Sequence, residues 1–497
     1  LSVDPDRRKK KRRGNYSIPV PVGRVGLTAM PGRVTIRNVL DPDNGTTPGS
    51  TLVQVPAGSL SLSGRIPVRA LGNYRVIPAG AISISGQAAG LSIGSNEGVL
   101  AFPGALGFNR AGRHAFTTTN NPTYIKVTNL ADSGAGSFRA AVTATGPRVV
   151  IFEVSGTITL LTAIFITEPY LYIVGQTALS PGITIKGQPV YLYNNAHDTL
   201  IRHIRFRSGF VDNEDCITLY GSNTFNLSVD HCSLSWSADE NWSMAQSYTG
   251  DSNADIQRSI ISEPLANHGS FEVVNAWANA LVSNQRKKCS IIRCLIAHGY
   301  NRNPSLYGGS SSYVANNFIY NWGEICTFYD DPDSFGPIIG SLVGNVYKRG
   351  PSTPASTTLV YCRYLQAGSQ VYIADTLKIG ANLADFEVVN NDGIDPRVGS
   401  PPITVPGYTP IASSAVQADM VNWGARPLDR DAVDNRIMSD AINGTGFIIT
   451  NPSDVGGWPA LANNPRGLTV PANASSIGAS GYTVGEEWIA GYTAEVQ

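Results

Sequence analysis

The sequence predicts an all-β protein: a right-handed parallel β-helix, a solenoid of stacked coils, preceded by a small N-terminal β module. Three observations carry that expectation. A pattern of short strand and polar turn recurs as LIRHIRFRSG from 200, NLSVDHCSLSWS from 226, DIQRSIISEP from 255, SIIRCLIAHG from 290, YVANNFIYNW from 313 and SLVGNVYKRG from 341. Within each repeat apolar residues alternate with a period of two, and no helical spacer separates one repeat from the next. Finally, 51 Gly and 31 Pro beside only 15% charged residues indicate many turns in an ordered, β-rich chain.

Set in register, the repeats place Ile204, Cys232, Ser259, Cys294, Asn317 and Asn345 in one column, at steps of 28, 27, 35, 23 and 28 residues. Each coil is then one rung, and the column is an interior ladder in which small and amide side chains stack and hydrogen-bond along the axis. The 35-residue step is an insertion that becomes a loop. A length of 497 residues ordinarily suggests several domains, but solenoids run long as single units.

Lys plus Arg equals Asp plus Glu, 37 each, so no global field argues for nucleic acid. That balance hides an asymmetry: Arg7 to Arg13 are seven consecutive cations, and without them 30 positive residues face 37 negative ones. Residues 1–16 read as a basic disordered arm, a solvated tail unless it meets nucleic acid or another anionic polymer. No apolar run approaches the ~18 residues of a membrane span. The six cysteines show no CxxC spacing, which argues against a zinc site. Cys232 and Cys294 fall two rungs apart, too far for a disulfide needing ~5.5 Å between Cα atoms when rungs are ~4.8 Å apart, so most cysteines read as buried thiols.

Residues 17–100 form the module. VPAGSLSLSG from 55 and IPAGAISISG from 77 are a 22-residue internal repeat, each a Pro-Ala-Gly turn followed by apolar and small-polar alternation. Almost free of His, Cys and carboxylates, the module suits attachment or assembly, or a linker. Residues 101–460 form the coil: Ser137 to Val142 read as a short helix capping its first turn, Val149 to Ile158 begin the rungs and GITIKGQ from 182 continues them. From 350 to 410, Pro, Ser and Thr suggest loops and weak final coils. Val433, Ile437, Met438 and Ile442 stand near helical spacing after early aspartates, which predicts a helix on the coil exterior. Residues 461–497 form a tail without a chemical signal.

Seven blocks in order, FPGALGF, VTNLADSGAGSFRAAV, GPRVVIFEVSGTI, VDHCSLSWSADE, IISEPL, NRNP and GARPLDRDAVDNRI with GTGFIITNPSDVGGWP, resemble the pectate lyase family of polysaccharide lyases over roughly 102 to 459. The resemblance implies a parallel β-helix and Ca²⁺-dependent β-elimination of polygalacturonate. That reaction removes the C5 proton beside a carboxylate, so it needs a divalent cation and arginine to neutralise the carboxylate and hold the enolate-like charge. Asp215 in NEDCITL matches a calcium-binding aspartate of the family, and Asp239 with Glu240 follow one rung later; hard oxygen donors of this kind suit Ca²⁺. Arg302 in NRNP matches the catalytic arginine that takes the proton, an awkward role for a guanidinium of pKa above ~12, though a charged Arg302 still stabilises the anion.

The match is incomplete. Four residues after Asp239 stands Ser243 rather than an acid, and Asn213 occupies a position where another acid could be. Tyr307 stands where the family has a second, substrate-binding arginine, and the stretch VVNAWANALVSN lacks the lysine of the preceding rung. Tyr307, Trp236 and His231 are expected to contact substrate; for His231 a hydrogen-bonded structural role weighs against this, and for Trp236, Trp242, Trp277 and Trp322 ordinary packing does. The expected function is therefore a secreted, extracellular lyase acting on an acidic, pectate-like polysaccharide with Ca²⁺. The alternatives are a non-catalytic glycan-binding or structural β-helix protein of a virion or surface assembly, partnered through residues 1–100, and a glycosidase on the same scaffold, with two acids in place of a metal cluster.

Overall fold

The computed structural model describes residues 99–497 apart from 117–120, 210, 212–213, 245–249, 267–279, 283–284, 390–392 and 479, and, before them, seven strands between Arg24 and Ser83. The chain divides into two units, Leu1–Glu97 with Ala479–Gly481, and Gly98–Gly478 with Tyr482–Gln497. The expected basic arm and its cationic run lie outside the described residues. In the first unit Arg24–Met30, Arg33–Val39 and Ser50–Gln54 form an antiparallel sheet, and Pro67–Ala70 pairs with Asn73–Val76. Ser61–Leu62 pairs with Ile82–Ser83, so the two copies of the 22-residue repeat supply strands to each other.

The second unit is the parallel β-helix. Its coils run through three sheets of ten, nine and nine strands, and every strand pairs in parallel with the equivalent strand of the next coil. The first sheet runs from Thr123–Val127 to Gln370–Ala374, the second from Gly156–Thr159 to Leu377–Ile379, and the third from Ile164–Ile166 to Leu383–Val389. From the coil of Thr199–Arg202 onward, the bend between the first and second sheets is made by one residue in the left-handed region: His203, His231, Arg258, Arg293, Asn316, Gly344 and Asp375 repeat it with φ between 44° and 68°. Earlier coils take a longer path, the second through a 3-10 turn, Gly175–Thr177; in the later coils a one-residue corner leaves no room for a helix.

The aligned column is interior, as the spacing predicts. Ile204, Cys232, Ser259, Cys294, Asn317 and Asn345 are all buried. The Cys232 N–H donates to Ser259 Oγ at 3.1 Å, the Cys294 N–H to Asn317 Oδ1 at 2.9 Å and the Asn317 N–H to Asn345 Oδ1 at 3.0 Å. These side chains satisfy backbone donors that the corner leaves without a ladder partner. All six cysteines are buried and free.

The outer faces of two sheets are covered by the chain's own ends. Phe102, Ala105 and Phe116 pack on Val149, Ile151, Tyr172, Val174 and Leu200 of the first sheet. On the second sheet, Ile260, Leu295, Phe318 and Val346 lie under Val416, Met420, Trp423, Val433, Ile437 and Met438. Those residues belong to the helices Ser413–Asp419 and Ala432–Asn443 and their connection. The predicted exterior helix is therefore present, but Ile442, expected on its inner face, is exposed. Its N-cap is Asp431, and Asp431 with Asp434 receives Arg207 at 2.5 and 2.7 Å, all with side chains wholly buried except for a trace at Asp431. The short first-turn helix is likewise present as Phe138–Val142, capped by Ser137.

After 350 the coils continue in register, with Thr357–Arg363 and Leu383–Val389 as seven-residue strands, while the last strands, Gln370–Ala374, Leu377–Ile379 and Leu383–Val389, bury few of their residues. The tail carries a helix that the sequence reading did not anticipate, Val484–Thr493, with Thr483 and Glu486 in a reciprocal capping box. It returns to the first coils, where Trp488 meets Tyr124 edge-on at 6.2 Å and Glu486 pairs with Arg113 at 2.5 Å.

Candidate active site

The turns from the second sheet into the third carry the chemistry. Asp215 lies two residues before the strand Ile217–Tyr220, and Glu240 two before Trp242–Met244. Since Ile217 pairs with Trp242, Asp215 and Glu240 stand on adjacent rungs of one ladder, with Asp239 beside them. Backbone bonds fix both turns: the Cys216 N–H donates to Glu240 O at 3.0 Å, and the Ala238 and Asp239 N–H groups both donate to Glu214 O at 3.1 Å. Asp215 is oriented by the Glu240 N–H at 2.9 Å and by the Thr218 hydroxyl at 2.5 Å.

One oxygen from each of Asp215, Asp239 and Glu240 lies within 4.8 Å of the others. That is about twice a Ca²⁺–oxygen distance of 2.3–2.6 Å, so a single ion can touch all three. Asp239 Oδ1 is buried and has no hydrogen-bond partner within the protein. Burial, then Glu240 and Asp239, push the Asp215 carboxyl well above the usual range; burial and Glu240 push Asp239 up to about 8, against the pull of Arg302. Three acids that repel one another and leave an oxygen unsatisfied fit a divalent cation, by their donor set and by their electrostatics.

These shifts have a sign. A carboxyl whose pKa is raised in the folded state binds its proton more tightly there than when unfolded, so its contribution is fullest below 3.8 and is lost as pH rises through about 8. In chelator the melting temperature is therefore expected to fall between pH 4 and pH 8, and millimolar calcium should flatten that fall. Differential scanning fluorimetry across that range checks it; a melting temperature that calcium leaves unmoved at pH 8 removes the cation from this site.

Arg302 stands on the same ladder, two rungs past Glu240 by the registers Trp242↔Ala280 and Leu281↔Ser305. Its guanidinium pairs with Glu240 Oε1 and lies 5.9 Å from the centroid of the Tyr307 ring. Burial works against its charge, but Glu240, Tyr307 and Asp239 together raise its pKa above the ordinary value. In this arrangement Arg302 is a cation, and it would have to lose a proton before it could accept one.

The structure thus brings together Asp215, Asp239, Glu240, Arg302 and Tyr307. It does not bring His231 or Trp236 to them. Trp236 is fully buried, its ring edge-on to Trp458 at 5.0 Å and its Nε1 donating to Glu263 at 2.9 Å, which leaves no face for a sugar. His231 sits at the other corner, between the first and second sheets, bonded to Asp230 at 2.8 Å and touched by the Gln497 amide. Trp242 and Trp322 are core residues. Trp277, Asn213 and residues 273–279 of the stretch that lacks a lysine lie outside the described residues. Missed by sequence reasoning were Tyr191 and Glu214, whose side chains bond to each other beside the acids. Glu214 was visible as the neighbour of Asp215 in NEDCITL; Tyr191 was not, because its place one rung before Thr218 is a matter of register.

The class is thus a parallel β-helix solenoid with three carboxylates and an arginine gathered on one ladder. No family model matches the chain. Among curated proteins, it is 31% identical over 377 residues to the probable pectate lyase C of Emericella nidulans, covering 73% of this chain and 81% of that protein. It is 36% identical over 261 residues to the probable pectate lyase C of Aspergillus terreus, covering 52% of this chain and 57% of that protein. The chain belongs to the pectate lyase family. It spans little more than half the length of the first relatives it matches. Among solved structures, a pectate lyase from Bacillus sp. N165 in complex with trigalacturonate aligns at TM-score 0.40 and 10% identity, over 63% of this chain and 97% of that one.

Proposed function

We propose that the protein is a polysaccharide lyase that cleaves a pectate-like uronic-acid polymer by Ca²⁺-assisted β-elimination. The observation that carries this reading is the convergence of three carboxylates and Arg302 on one ladder of a chain of this family. Asp215, Asp239 and Glu240 would hold the ion. Calcium bound there would supply positive charge against the substrate's own carboxylate, making the C5 proton more acidic. The chain's residues do the rest. Thr218 and the Glu240 N–H keep Asp215 turned toward the cluster. Arg302, kept charged by Glu240, faces the sugar that carries the developing enolate and stabilises it electrostatically. As the C5–H bond breaks, the proton passes to water on the open side of the site, where the Arg302 side chain is 26% exposed; the C–H electron pair forms the C4–C5 double bond, and the C4–oxygen bond breaks with its pair staying on the leaving oxygen, which takes a proton from solvent.

The site lacks the second arginine at Tyr307 and offers few spare cations, so grip on a polyanion rests on the bound ion. Residues 1–100 would serve attachment, the basic arm included, and residues 101–460 the reaction, outside the cell. Among the described residues no helix is long and apolar enough to cross a membrane.

The test is release of unsaturated product, followed by its ultraviolet absorbance, from polygalacturonate with calcium or chelator. Calcium-dependent product is the expected result. A chain that binds the polymer and yields none under either condition is instead the non-catalytic glycan-binding protein; product that chelator does not suppress points to chemistry without a metal.

A further inference from the structure

At the corner between the first and second sheets, two histidines occupy the same place in successive coils. Arg202 pairs with Asp230 in register, so His203 and His231 follow at equivalent positions, with φ of 58° and 48°. Their rings stack with centroids 5.1 Å apart and planes 19° from parallel. Both are buried.

Each ring has one nitrogen committed to an oxygen that only accepts. His203 Nδ1 donates to Ala425 O at 2.8 Å, and His231 Nδ1 donates to Asp230 Oδ2 at 2.8 Å. The proton of each neutral imidazole therefore sits on Nδ1, and each Nε2 carries a lone pair. Burial lowers the pKa of both rings, His203 with help from Arg202 and His231 against the pull of Asp230, so both lone pairs persist at neutral pH. The Gln497 amide nitrogen lies against the edge of the His231 ring, 2.9 Å from Nδ1 and 3.0 Å from Nε2, and 3.5 Å from His203 Nε2. A donor thus fills the space in which a cation would face both nitrogens. Gln497 itself is exposed, and its side chain can swing out to leave an entry path.

Neutral imidazoles whose other nitrogen is fixed by a carboxylate or a carbonyl are donors for zinc or copper, and poor ones for Ca²⁺, which takes oxygen. One atom from each of His203, Asp230 and His231 lies within 4.8 Å of the others. Two zinc–nitrogen bonds of ~2.0–2.1 Å at a tetrahedral angle span about 3.3 Å, so small turns of the stacked rings converge on one ion. Asp230 already accepts from Arg202 Nε at 2.7 Å and Gln257 Nε2 at 2.8 Å, and so orients His231 rather than touching the metal. With no thiolate donor, and with Arg202 and Arg258 both beside Asp230 and opposing a bound ion, the affinity is moderate.

We propose that His203 Nε2 and His231 Nε2 form a binding site for a divalent transition ion, zinc or copper, which enters by displacing the Gln497 amide and completes its shell with water. The ion staples two coils beside the returning C-terminal segment, and the site stands independently of the lyase reading. Zinc titrated calorimetrically into tag-free protein, with millimolar calcium present to fill the acids, should show saturable binding of one ion per chain. His231→Ala should weaken it about tenfold or more, at least the scale of losing an outer-shell partner, and Gln497→Ala should tighten it by removing the competing amide. Where His231→Ala fails to fold, copper on the wild-type protein decides: its electron paramagnetic resonance spectrum should carry hyperfine structure from two imidazole nitrogens. The proposal is overturned by the absence of saturable zinc binding in calcium, by an affinity that a folded His231→Ala leaves unchanged, by binding that Gln497→Ala does not tighten, or by a copper spectrum without two-nitrogen coupling.

Discussion

Arg302→Ala is expected to lower kcat/KM on polygalacturonate about 10³-fold, the scale seen when one preorganised charge-stabilising group is removed. The same variant should bind calcium more tightly at a pH above 8, because it takes a cation away from three carboxylates that already repel one another. Those opposite changes separate a role at the transition state from a merely structural one: a loss of fold would weaken both. Arg302→Lys keeps a charge but not the planar fork, so it should recover only part of the rate. Steady-state kinetics beside calorimetric calcium titration measures both effects. A variant that keeps wild-type turnover would move the chemistry away from this ladder.

The second large effect is on stability. Arg207 and Arg205, on the outer face of the second sheet, meet Asp431 and Asp434 at the start of the helix Ala432–Asn443, with Arg205 Nε 3.3 Å from Asp434. Burial would raise the Asp431 carboxyl, but Arg207 and Arg205 overcome it and hold it far below the usual range. Arg207→Met leaves two buried carboxylates with one guanidinium, which is expected to cost about 3–5 kcal/mol. Adding Asp434→Leu should recover a good part of that loss, since the imbalance rather than the absent pair is what destabilises. Urea unfolding of the single and double variants checks it; equal losses in the two would mean that packing, not charge, dominates at this helix.

The solenoid was legible because its backbone repeats: one column, Ile204 to Asn345, carries the register of six coils, every member is buried, and Ser259, Asn317 and Asn345 accept from the backbone of the coil before. That Asp215, Asp239 and Glu240 would meet was legible because they stand just before strands that pair in adjacent coils. What could not be read is contact made across large separations. Trp236 has the same letters around it whether its ring faces water or, as here, meets Trp458 from the returning segment. His231 is closed off by Gln497, 266 residues later. The pairing of Arg302 with Glu240 spans 62 residues and a coil lengthened by the 35-residue step, so no local spacing announces it. The final helix was missed for a related reason: Thr483 and Glu486 form a capping box, but the apolar residues after it, Trp488, Ile489 and Tyr492, are too few to mark a face without the first coils as partner.

The returning C-terminal segment changes how this solenoid comes apart. A simple stack loses rungs from its ends, each held by a single neighbour. Here Lys126 Nζ reaches Leu468 O at 2.7 Å, the Arg466 N–H donates to Glu153 O at 2.9 Å, and the last helix rests on the opening coils. The last stretch of chain is thus buckled to the first, as a strap closes a roll of cloth. Peeling from the N-terminal end must first undo that buckle, and the coils bearing Asp215 and Arg302 lie between the two ends it joins.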